Sequence, residues 1–141
     1  MKHYLSIFLV FSFFAFTACD DVVDCIINVR PELKNKELDH AHVDEYYFET
    51  VSAEIKNETR DNDYDYFFRV SGDLPRGLDV IYERRKVVFE GIPREPGRYT
   101  IRVHLEVEAF NEYYFDEYGN ERYHDPLCSN NTSKVYTLVV R

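Results

Sequence analysis

The N-terminal apolar run of this sequence, residues 5–18, has 14 residues, short of the roughly 20 that a free helix needs to cross a bilayer. Basic residues are also scarce, with 17 Lys and Arg against 26 Asp and Glu. That balance argues against nucleic acid and against adhesion to anionic lipid headgroups. Neither a nucleophile elbow, a phosphate loop nor a Ser-His-Asp order is visible. No segment carries the 3.6-residue apolar period of an amphipathic helix. Cysteine is limited to Cys19, Cys25 and Cys128.

What stands at the N-terminus is an address. Lys2 and His3 precede the run 5–18, whose length suits a secretory signal. It ends Phe16-Thr17-Ala18-Cys19. This ending resembles a bacterial lipobox, with Phe16 in the place usually held by Leu. The resemblance implies cleavage before Cys19, diacylation of its thiol and acylation of the new N-terminus. One acyl chain holds a membrane marginally, and two or three hold it stably. An ordinary signal peptide cut near Ala18 would instead leave Cys19 as a thiol. The expected organisation is a lipoprotein signal peptide over 1–18, an acidic tether over 19–24 and one folded domain over 25–141. Asp20 and Asp21 resemble an inner-membrane retention signal, which implies a cell-envelope protein on the periplasmic face of the inner rather than the outer membrane.

Loss of residues 1–18 removes Lys2 and no acid, leaving 16 basic and 26 acidic residues and a net charge of −10. Such a charge permits a basic protein partner. Five of the 11 Phe lie in the signal, whereas 11 of the 12 Tyr follow it, so the domain is rich in polar-tipped rings. Behind a secretion signal, Cys25 and Cys128 are expected to form a disulfide. Closing so long a loop is worth about 4–5 kcal/mol in the chain-entropy model.

Period-two alternation dominates the rest. Strands are expected over 25–29, 46–56 (Val51, Ala53 and Ile55 on one face), 66–70, 78–82, 87–90, 98–109 and 135–140. Residues 31–44 and 57–65 are expected to be irregular. The clearest strand is 98–109, with Tyr99, Ile101, Val103, Leu105 and Val107 on one face and Arg98, Thr100, Arg102, His104, Glu106 and Glu108 on the other. Residues 110–133 are too long for a simple turn and are expected to form an extended arm, with a turn at 130–133. Several short strands with regular turn punctuation predict an all-β sandwich.

The central block reads SGDLPRGL, then GIP, then PGRYTIRV. In order and spacing it resembles the Ig-like, dystroglycan-type cadherin-like repeats of bacterial surface proteins. Ser71, Gly72, Leu74, Pro75, Gly77 and Leu78 match the first half. Gly91, Pro93, Pro96, Gly97, Tyr99, Ile101 and Val103 match the second. The likeness covers about 38–107 and 135–140. It departs at the charged turn Glu83-Arg84-Arg85-Lys86 and at the arm. The resemblance implies a single Ig-like or cadherin-like β-sandwich serving structure or adhesion, with no shared catalytic site. Tyr99 sits where a tyrosine corner would, and Ile101 occupies the place of the inter-sheet cysteine of antibody-type domains.

No cofactor site is read, and a non-enzyme is expected. A glycosidase carboxylate pair needs a cleft that a sandwich of this size rarely encloses. Asp61, Asp63 and Asp65 form a weak calcium candidate, without the Gly and distal Glu of an EF-hand loop. His40 and His42 are too few for a zinc site. In the arm, Tyr113, Tyr114, Phe115, Tyr118 and Tyr123 stand among Glu112, Asp116, Glu117 and Glu121. Rings and acids at a loop tip suit a contact surface, and the rings could equally pack back on the sandwich. The expected function is a non-catalytic, lipid-anchored envelope protein with a protein-binding or structural module. The alternative is a small inhibitory lipoprotein that neutralises a basic periplasmic enzyme or toxin.

Overall fold

The computed structural model describes residue 25 and residues 27–110, 113–123 and 127–141; the expected signal peptide over 1–18, the expected lipidation site Cys19 and the expected tether over 19–24 lie outside them. Among the described residues there are nine strands: β1 Arg30–Leu33, β2 Tyr47–Lys56, β3 Tyr64–Gly72, β4 Leu78–Glu83, β5 Lys86–Gly91, β6 Gly97–Ala109, β7 Tyr113–Phe115, β8 Glu121–Tyr123 and β9 Asn131–Val140. They pair antiparallel in a sheet of order β1-β2-β5-β4, a sheet of order β3-β6-β9 and the hairpin β7-β8. The two larger sheets reproduce the A-B-E-D and C-F-G strand order of a constant-type Ig sandwich. The hairpin is an insertion in the F–G connection.

The alternation read from the sequence places the core. Val51, Ala53 and Ile55 of β2 and Val87 and Phe89 of β5 are buried, as are Ile101, Val103, Leu105 and Val107 of β6 and Tyr136, Leu138 and Val140 of β9. Each fully buried Val, Leu or Phe contributes about 1.5–3 kcal/mol by area. Ile101, fully buried, fills the place of an inter-sheet cysteine. The tyrosine corner is present, for the Tyr99 hydroxyl donates to the Glu95 carbonyl at 3.1 Å.

Two expectations are corrected. The first strand is Arg30–Leu33, not 25–29. Pro31 is accommodated because β1 is an edge strand, where a missing N–H breaks no ladder. Beyond β1, residues 34–44 are irregular as expected apart from one bridge, and they cross between the sheets. Ala41 makes a parallel bridge to Val140, donating to the Val139 carbonyl at 3.0 Å and accepting from Arg141 at 2.9 Å. Glu49, on the inward side of β2, ties this crossing through Lys36 and the N–H of Asp39. Burial alone would raise its pKa; the hydrogen bonds from Lys36, Thr50 and Asp39 outweigh that and lower it. Finally, β9 begins at Asn131, not 135, because the long β6 supplies partners down to Glu106↔Asn131. The expected turn at 130–133 is therefore mostly strand, and of the expected arm residues 110, 113–123 and 127–130 are described outside that strand.

The central block sets a backbone crossing. Gly77 and Gly91 have φ of +94° and +135°. The Ile92 N–H donates to the Gly77 carbonyl at 2.9 Å. A Cβ on Gly91 would lie 2.2 Å from that same oxygen, and one on Gly77 would lie 2.2 Å from the Ile92 carbonyl. Pro75 and Pro93 are buried beside the crossing elements. Gly72 ends β3, and Gly97 starts β6 under the Tyr99 ring.

Candidate functional site

The connections β2–β3, β4–β5 and β6–β9 meet at one end of the sandwich. Asp61, in a single 3-10 turn, holds them together. Its carboxylate accepts from the Ile55 N–H at 3.1 Å and pairs with the Arg85 guanidinium. Arg84 reaches the Asn62 carbonyl. The Phe110 N–H donates to the Asp63 carbonyl at 2.9 Å. Arg85 also lies 5.7 Å from the centre of the Tyr66 ring, a cation–π contact. Burial, reinforced by Asp61 and partly offset by Arg85, pushes the Tyr66 hydroxyl up to about 12.

The N-terminal segment enters at this same end. Cys25 and Cys128 form a disulfide with a Cα–Cα distance of 5.6 Å. Beside it the Cys128 N–H donates to the Val29 carbonyl at 2.8 Å, and Asn57 Nδ2 donates to the Asn28 carbonyl at 2.9 Å. The strand expected at 25–29 is thus a stapled lead-in.

The hairpin β7–β8 projects from here. Asp116 orders its turn: Oδ1 accepts from the N–H of Tyr118 at 3.0 Å and of Asn120 at 2.9 Å. The Asp116 N–H in turn donates to the Asn120 carbonyl at 3.0 Å. An isolated two-stranded hairpin is marginally stable in water, and such side-chain-to-backbone bonds rigidify it. Tyr113 is 57% exposed, Phe115 72% and Tyr118 80%, with Phe110 at the base 49% exposed. Phe115 and Tyr118 are thus the most exposed of the described arm rings. The side chains of Tyr114 and Tyr123 lie outside the described residues, as do Glu112 and His124.

Acid crowds this end. Asp65 of β3 stands directly opposite Glu108 of β6, a like-charge pair that destabilises a ladder; Glu106 follows on the same face, and Asp116, Glu117 and Glu121 belong to the arm. The calcium candidate is not assembled. Asp61 is engaged by Ile55 and Arg85, Asp63 pairs with Arg60, and no cluster among the described residues could hold a metal ion. His40 lies on the crossing segment, beside a cleft with Arg98 and Thr137. Sequence reasoning missed Asp61 as the organiser of this end, since nothing local distinguishes it from Asp63 or Asp65.

Strand order, tyrosine corner and F–G insertion define an Ig-like β-sandwich. No family model matches the chain, and no curated protein matches it in sequence. Solved structures with a similar course include murine CRIg, with 11% identity and a TM-score of 0.46 over 79% of this chain and 98% of that one. The sialic acid binding region of the Streptococcus sanguinis SK1 adhesin has 16% identity and a TM-score of 0.47 over 82% of this chain and 30% of that one. The SrpA adhesin from Streptococcus sanguinis has 12% identity and a TM-score of 0.44 over 81% and 60%. The chain thus spans less than two thirds of either adhesin. At such identities no ligand or activity carries over.

Proposed function

We propose that this chain is a non-catalytic, lipid-anchored binding module of a bacterial envelope. It is held through Cys19 and presents its F–G arm to a basic protein partner at the membrane surface. The observation that supports this most is the shared end. The stapled N-terminal segment and the exposed aromatic hairpin leave the sandwich together. Six residue steps separate Cys19 from Cys25, a reach of about 20 Å when extended. A lipid at Cys19 therefore keeps the arm within about one domain length of the bilayer, and the loops at 73–77 and 92–96 point away. The acids of the arm end disfavour anionic lipid and favour a basic protein surface.

Two measurements test this. Mass spectrometry of the mature N-terminus is expected to find a diacylglyceryl Cys19; an unmodified thiol overturns the anchor. A photo-crosslinking residue at Tyr118 is expected to capture one stoichiometric partner that the same residue at Arg94, on the far end, does not. Equal capture from both ends overturns the arm as the contact. A soluble basic enzyme at Tyr118, inhibited by the chain and released on deletion of 112–124, would decide for the inhibitory reading instead.

A further inference from the structure

The outer face of the β3-β6-β9 sheet is electrically divided. Near the arm it carries Asp65, Glu106 and Glu108; farther along it carries Arg69, Arg102 and Arg98 with His104. Arg69 stands opposite His104, and Arg102 opposite Ser71. Arg69 and Arg102 are thus diagonal neighbours on one face, roughly 7–8 Å apart at the backbone. Both are exposed, and neither makes an ion pair among the described residues. Glu106, the other diagonal neighbour of Arg69, does not neutralise it. In a chain that carries ten excess negative charges once residues 1–18 are lost, adjacent unpaired guanidinium groups form an anion-attracting island.

The island has a shaped edge. A cleft of about 310 Å³ is lined by Phe67, Arg69, His104, Glu106, Asn131 and Ser133, among others. Its volume falls at the lower end of the small-ligand range. Phe67 is 51% exposed there. Ser71 Oγ lies 3.1 Å from His104 Nε2, which holds the imidazole on the rim. Ser133 and Asn131 supply hydroxyl and amide groups, and Thr137 and Thr100 continue the polar row along β9 and β6.

We infer that this face binds an acidic saccharide, with its carboxylate or sulfate between Arg69 and Arg102 and a sugar ring against Phe67. Guanidinium groups recognise planar anions through paired N–H donors. The hydroxyl and amide rim suits a polyol, and the exposed ring offers a flat apolar surface to a sugar face. The site is separate from the arm and does not depend on the anchor.

The test uses the full chain purified in detergent, titrated calorimetrically with oligogalacturonate, with a chondroitin sulfate oligosaccharide and with neutral maltotriose. Binding is expected for at least one acidic probe and for maltotriose not at all, weakening as salt is raised. Arg69→Ala with Arg102→Ala is expected to weaken it at least about tenfold, with an unchanged melting temperature; Phe67→Ala, Glu106 kept, is expected to weaken it as well. Failure of both acidic probes to bind, equal affinity for maltotriose, or full retention by the double variant overturns the assignment. Concentration-dependent self-association of the chain that Arg102→Glu abolishes would overturn it in favour of a second copy's acidic arm.

Discussion

Replacing Gly91 with Ala should strike the backbone crossing that the central block builds. Gly91 has φ +135°, and its new Cβ would sit 2.2 Å from the Gly77 carbonyl oxygen. Side chains in such a backbone region cost about 1–3 kcal/mol. The oxygen cannot retreat freely, because it accepts the Ile92 N–H at 2.9 Å; losing that bond costs about 1 kcal/mol more. The sum is roughly 2–4 kcal/mol. A domain of this size unfolds with an entropy near 0.25 kcal/mol/K, so the melting temperature should fall by roughly 8–16 °C. Gly119→Ala is the matched control. It also has a positive φ, +77°, but a Cβ there would meet nothing within 4 Å, and it lies at the tip of the arm. Its global unfolding should move by no more than about 2 °C. Circular dichroism melts of the two variants and the wild type provide the comparison. A Gly91→Ala domain melting within about 2 °C of wild type would refute the reasoning, since both the strain and the lost bond would then be absent.

Two other outcomes follow from the same geometry. Tyr99→Phe removes the hydroxyl that donates to the Glu95 carbonyl and should destabilise by about 1 kcal/mol, read as a lower denaturation midpoint at constant m; an unchanged midpoint would dismiss the tyrosine corner as a stabilising feature. Glu49 has its folded-state pKa below the ordinary glutamate value, with the hydrogen bonds of Lys36, Thr50 and Asp39 outweighing burial. Its contribution is therefore full above the unfolded pKa and is lost as pH falls through the lower folded value. The stability gap between wild type and Glu49→Gln should be largest near neutral pH and close as the medium is acidified below the usual carboxylate range. A gap that persists or widens in acid would contradict this assignment.

Much of the architecture was legible because strand faces are written at period two. Val51, Ala53 and Ile55, and then Ile101 to Val107, announced the two halves of the core, and Tyr99 announced its corner. The pairing of Cys25 with Cys128, present in the structure, was expected from reading the N-terminus as a secretion signal and Cys19 as lipidated. Strand ends were less legible. Residues 31–33, expected to be irregular, are strand because the edge position of β1 tolerates Pro31, and the length of β6 recruited residues 131–134, whose Asn, Thr and Ser signal a turn in isolation. The exposure of Tyr113, Phe115 and Tyr118 was also undetermined, since a run of Tyr and Phe suits a core as well as a contact surface.

The sequence by itself determined the all-β class, the alternating core faces and the turn glycines, because each depends on residues a few positions apart. The tertiary structure decided what depends on distant segments meeting. It set Asp61 against Arg85, brought the N-terminal lead-in and the arm to one end, and placed Arg69 beside Arg102. Those encounters are fixed by sheet order and register, which local spacing does not encode.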